Sequence, residues 1–353
     1  MNERSAPRAV IVLLGTACAV IVLFGLREIA SILGPFVLAL VLVIAVAPVR
    51  RALARRGAAT WLQVAAPFLI VVCVVIVMVT VLTLSVSTLA GILPKYGPQF
   101  KALFADAQQV AARFGFGAGQ LDAAFRSFDP AQLIGVAQGL LAGLVGVLSG
   151  LFLIVVLLLS MCLDAPITAR AFAAVRAGRP AMASALGSFA ERTRRYLIVS
   201  TVFGLICSAC DVVALYILGV PLPLLWGVLA LITTYIPNIG FVLGLVPPSL
   251  LALLDGGVRQ MLLVIVAYCA INVVFQGMLL PKFLGDAVGL STTVTFLSLI
   301  VWTFVLGPLG ALLAIPLSLL VRALLIDSDP KAAWVAALVS GGEEARPAAR
   351  SSR

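Results

Sequence analysis

A carboxyl group set inside an apolar run is the most chemically pointed residue of this chain. Asp211 lies within Tyr196 to Leu218, a stretch that holds no other charged residue. A charge at the centre of a membrane helix costs about 2.5–3.5 kcal/mol on insertion scales. Two readings of Asp211 stand side by side. It is a protonatable coupling site, or else it sits nearer the outer interface or bonds to a neighbouring hydroxyl. A second polar pair, Asn272 and Gln276, is spaced four apart in another apolar run. That spacing puts both on one helical face, where they pair with a neighbouring helix or contact a cargo. Thr233 and Thr234 precede a break at Pro237, Asn238 and Gly240. Ser291, Thr292 and Thr293 precede another at Gly307, Pro308 and Gly310. Thr80, Thr83 and Ser87 fall near one face of an earlier run, for inter-helix bonding or for lining a pathway.

The same inventory excludes several chemistries. The chain has no His, so Ser-His triads, His ligands and His acid–base catalysis are ruled out. No nucleophile–base set, metal cluster or nucleotide-binding motif is legible, so the expectation is no enzyme, no catalytic residue, no metal and no cofactor. All six Cys lie in apolar runs and are expected to be small buried side chains. Cys207 and Cys210 have the CxxC form but lie well inside a helix, away from the helix start that lowers a thiol pKa. The net charge of +10 sits in Arg clusters beside apolar segments, without a basic strip interleaved with aromatics. That pattern fits membrane flanks, and nucleic acid is not an expected partner.

These residues must be positioned by membrane helices. The chain is 63% hydrophobic and 11% charged, with a mean hydropathy of +1.19. Soluble proteins average roughly 45–50% apolar and about 25% charged residues. The apolar runs are solid Val, Leu, Ile and Ala, without the alternation of an outer-membrane barrel. The expected fold class is an all-α polytopic integral membrane protein of about eight transmembrane helices, two of them broken by Pro and Gly or re-entrant. Residues 1–93 hold helices one to three. Residues 94–130 form an amphipathic insert on the outer face, and 131–163 form helix four, ended by Asp164 and Pro166. Residues 164–195 make a basic amphipathic linker at the inner surface. Residues 196–326 form the core with broken segments 224–254 and 290–326, and 327–353 form a largely disordered tail. Within 224–254, Pro247-Pro248 reads as a second interruption.

Arg50, Arg51, Arg55 and Arg56 form one short Arg-rich loop, and Arg170 to Arg195 a second. Positive flanks concentrate on the cytoplasmic side. Both loops, and by parity both termini, are therefore expected inside, in a cell inner (plasma) membrane. Each broken segment either crosses with a kink or enters and leaves on one side. A broken apolar segment persists where protein or a water-filled cavity satisfies its backbone, and paired broken segments are the best sequence pointer to a transport site.

The chain resembles the autoinducer-2 exporter family of prokaryotic multi-helix transporters. The resemblance rests on Trp226-Gly227, Ile236 to Gly240 with Pro247-Pro248, Pro281-Lys282 to Gly289-Leu290-Ser291, and Phe296-Leu297-Ser298 through Gly307 to Gly310 and Ile315-Pro316-Leu317. It is specific over the C-terminal half; the N-terminal half agrees in hydropathy. The resemblance implies an eight-helix inner-membrane carrier, homo-oligomeric in some members, exporting a small quorum-sensing furanone or another metabolite. Some relatives resemble sodium/proton antiporters. The expected function is secondary transport of a small molecule or ion. A sodium/proton antiporter is the first alternative, and a non-transporting structural membrane protein the second. The lipid bilayer is the implied surrounding partner.

Overall fold

The computed structural model describes residues 8–99, 101–102, 105, 131–237, 239–279 and 289–329. Most of the 94–130 insert, the 281–288 loop and the tail from 330 lie outside the described residues, as does Asn238. Among the described residues there is no strand. Lipid offers no hydrogen-bond partner, so apolar backbone must satisfy itself, and a helix does so within one segment. The helices are α1 (Arg8–Glu28), α2 (Ala30–Arg55), α3 (Thr60–Ile92), α4 (Ala131–Gly178), α5 (Pro180–Ile217), α6 (Pro223–Thr233), α7 (Gly240–Asn272), α8 (Thr292–Leu306) and α9 (Pro308–Arg322). Among the described residues, six helical stretches are long and apolar enough to cross a membrane, and α6 and α8 are shorter apolar helices. The protein is a polytopic all-α membrane protein.

Several expected helix ends are absent. Pro48, Pro166 and Pro247-Pro248 all lie inside helices that run on past them. Each proline deletes one ladder donor, but the turns on either side stay bonded, and a membrane helix gains nothing by exposing more backbone. The second Arg-rich block is therefore not a separate linker helix. It forms the end of α4 and the start of α5, joined at Arg179. The real interruption of α7 is Gly257, at φ 74° and ψ −169°. The thiols also depart from expectation: Cys18 and Cys73 are exposed. An outward face of an apolar helix meets lipid, so exposure there carries no desolvation cost.

The chain divides into two compact units, Met1–Pro67 with Ile154–Tyr196 and Asp286–Arg353, and Phe68–Leu153 with Leu197–Gly285. In the first unit, α8 and α9 form a tight hairpin. Gly307 is the turn, with φ 64°, a left-handed value that a side chain disfavours. Pro308 then starts α9, at the position where its missing N–H costs nothing. A Cβ on Gly310 would sit 1.8 Å from the Trp302 carbonyl oxygen, so the two helices touch through backbone. Trp302 Nε1 donates to Ser318 Oγ at 3.0 Å. Phe24 of α1 meets Phe304 edge-on at 5.7 Å. At the open end of the hairpin, buried Arg322 donates to the Gly289 carbonyl and to Asp327 Oδ1. A Cβ on Gly289 would also lie 3.0 Å from Arg192 Nη1. Both ends of this hairpin thus meet at the Arg-rich start of α5.

In the second unit, α6 and α7 make a second hairpin. A Cβ on Gly240 would lie 1.8 Å from the Thr233 carbonyl oxygen, and one on Gly244 would lie 3.5 Å from Ala230 Cα. The pairing 233 with 240 and 230 with 244 runs antiparallel, so the chain reverses at residues 234–239. With 11 residues, α6 spans roughly 16 Å, too short to cross a core of about 30 Å. Gln260 Nε2 donates to the Leu218 carbonyl at 2.7 Å, so the residues before and after the hairpin lie together. Nearby, Tyr96 donates to Asp255 Oδ1 at 3.0 Å. The break of 224–254 is the tip of an antiparallel helical hairpin whose two ends lie together, and a kink within one continuous helix does not describe it. Leu215, Trp226, Leu251, Val264 and Tyr268 are among its packed core.

Candidate functional site

Helix α5 brings Asp211 to the hairpin. Ser208 Oγ donates to the Gly227 carbonyl at 2.7 Å, and Gly204 faces Leu231 and Thr234. The pairing shows α6 running antiparallel along α5. Gly204 lies 13 residues before Ile217, so the hairpin tip reaches roughly 20 Å in from the end of α5. Asp211 is six residues before that end, roughly 9 Å in.

A cavity opens where these elements meet. It is lined by Cys207 and Asp211 of α5, Ala230 and Thr233 of α6, Thr234 of the turn, Gly240, Phe241, Gly244, Tyr268 and Asn272 of α7, and Gln276. Its free volume is about 10 Å³, close to the space of one water molecule. Asp211 is 2% exposed and Tyr268 1%. Asp211 Oδ1, Tyr268 OH and Asn272 Oδ1 are buried without a hydrogen-bond partner. An unmade buried polar contact costs about 1–3 kcal/mol each. Three in one small cavity form an oxygen-lined socket, which the fold maintains at a cost.

The other polar groups here are occupied and act as walls. Thr233 and Thr234 both donate to the Ala230 carbonyl, at 3.2 and 2.8 Å. Asn272 Nδ2 donates to the Tyr268 carbonyl at 3.0 Å, which turns Oδ1 toward the cavity. Gln276 lines the same cavity as Cys207 of α5. Thr201 and Tyr235 share one at 2.7 Å. Gln276 sits in a π-helical stretch, Val273–Leu279; such bulges are common at functional sites.

Of the residues the sequence marked, Asp211, Thr233, Thr234, Gly240, Asn272 and Gln276 come together in this one cavity. Pro237 lies in the hairpin turn. Ser291, Thr292, Thr293, Gly307, Pro308 and Gly310 belong to the other unit. There Ser291 caps α8, its Oγ accepting from Val294 N at 3.3 Å, and the others start α8 or build the hairpin. Tyr268 was missed. Its signal is the stripe Tyr268, Asn272, Gln276, each four residues on. Cys207 stands in the same relation to Asp211.

A polytopic helical membrane protein with a short helical hairpin packed around a buried oxygen-lined socket is the architecture of a transporter. Residues 11–328 match the family model of the AI-2E family transporter, and the chain belongs to that family. It is 31% identical over 313 residues to the AI-2 transport protein TqsA of Escherichia coli (strain K12), covering 89% of this chain and 90% of that one. A Haemophilus influenzae protein named for transport is 28% identical, covering 94% and 97%. Another, YhhT of Escherichia coli (strain K12), is 26% identical, covering 87% and 88%.

Proposed function

We propose that this protein is a secondary transporter that exports a small polar molecule, autoinducer-2 or a similar metabolite, across the inner membrane. The supporting observation is the cavity in which Asp211, Tyr268 and Asn272 present unpartnered oxygens beside a short helical hairpin. A relative named for AI-2 transport supports the cargo class. In this reading both termini are cytoplasmic, the α6–α7 hairpin enters from outside, and the α8–α9 hairpin enters from the Arg-rich inner side. Homo-oligomers embedded in the bilayer are the proposed working form.

A second reading, sodium/proton antiport through Asp211, is favoured by the size of the cavity. About 10 Å³ accommodates a bare ion or a water. A furanone would require the hairpin to move. Proteoliposomes loaded with a pH dye separate the readings. Sodium-dependent proton movement that is lost in Asp211→Asn supports antiport. Cargo efflux without any ion dependence refutes it. An untargeted metabolite comparison of cells with and without the protein identifies the cargo. Unchanged metabolites together with no ion flux would leave only the structural-protein alternative.

A further inference from the structure

We propose that the cleft between the end of α2 and the start of α5 is a binding site for the phosphodiester headgroup of an anionic phospholipid. The cleft is lined by Pro48, Arg51, Ala52, Arg55 and Arg194 and has a volume of about 320 Å³. Three guanidiniums therefore face one space from two helices. Arg51 is repelled by Arg194, Arg55 and Arg50, with Glu191 offsetting part of that charge. Among the described residues, no salt bridge ties Arg51, Arg55 or Arg194 to a carboxylate. Holding like charges together is unfavourable, and an anion relieves it. Guanidinium forks suit phosphate oxygens, which they bind bidentately.

Position and size select the source of that anion. Arg50 follows directly on the uncharged run 30–49 of a membrane helix. One further turn puts Arg51 and Arg55 at the depth of the headgroups. Basic pockets at this level of helical membrane proteins hold acidic lipid headgroups. Pro48 and Ala52 give the cleft an apolar floor for the glycerol carbons, and its volume exceeds what a lone phosphate fills. The site lies wholly in the first unit, and it does not depend on which cargo or ion the transporter moves.

The test is lipid retention by the purified full chain in neutral detergent, read by native mass spectrometry. The probes are phosphatidylglycerol, phosphatidylcholine and inorganic phosphate. The structure predicts retention of phosphatidylglycerol over phosphatidylcholine. In the double variant Arg51→Gln/Arg194→Gln, binding weakens by about 30-fold, from roughly one interfacial Arg contribution per site. The double variant Arg170→Gln/Arg176→Gln, which removes the same charge from exposed positions of α4, stays near wild type. Arg55→Gln alone gives an intermediate loss and serves if the double variant unfolds. Equal retention of phosphatidylcholine, or full retention of phosphatidylglycerol by the cleft variants, overturns the proposal. Displacement of phosphatidylglycerol by equimolar inorganic phosphate also overturns it, and assigns the cleft to a free anion.

Discussion

Replacing Asp211 by Asn should stabilise the protein while silencing it. The carboxyl is 2% exposed, and its Oδ1 has no partner. Asn has the same shape but carries no charge, which removes a burial cost that insertion scales place near 2.5–3.5 kcal/mol for an ion at full depth. Asp211 lies only roughly 9 Å in from the helix end, so less than the full-depth cost applies. The amide also adds a donor beside the unpartnered Asn272 Oδ1, and one new hydrogen bond contributes about 0.5–1.5 kcal/mol. The expected net gain is about 1–3 kcal/mol, a rise of about 1–4 °C in unfolding midpoint for a chain of this length. Thermal unfolding in detergent measures the first effect. Ion or cargo flux in proteoliposomes measures the second, which should fall to that of empty vesicles. A variant that is destabilised yet still transports would refute the reasoning, because Asp211 would then be a structural group with a partner to lose.

Three further outcomes are expected. Gly240→Ala drives a Cβ to 1.8 Å from the Thr233 carbonyl oxygen and should cost about 1–3 kcal/mol by overpacking, whereas Gly91→Ala, with open space around it, should gain about 0.5–1 kcal/mol; denaturation midpoints of the two variants compare them. Single cysteines in a Cys-free background report the hairpins: Arg259→Cys should react with an impermeant maleimide from outside and Thr292→Cys from inside, and the reverse pattern would restore two kinked crossing helices. Trp302→Phe removes the donor to Ser318 Oγ and should lower stability by about 0.5–1.5 kcal/mol with flux unchanged.

The sequence alone was enough for the class, and it marked several of the residues that line the cavity. Solid apolar runs flanked by Arg can only be membrane helices, because lipid leaves unpaired backbone no alternative. Asp211, Asn272 and Gln276 stand out because polar groups in such runs are costly, and cost is visible in composition. Prolines were a poorer guide. Pro166 and Pro247-Pro248 look like helix ends, yet α4 and α7 pass through them, since a continuing helix tolerates one lost donor. The true turns were set by contacts that no local pattern carries. Whether Gly240 bends a helix or reverses it depends on how closely α6 and α7 can approach, and the missing Cβ lets the Thr233 carbonyl occupy that space. Tertiary structure alone placed Asp211 beside Tyr268 and Asn272, 57 and 61 residues further along the chain. It also left their oxygens unpartnered, because burial and hydrogen-bond satisfaction depend on every neighbour at once.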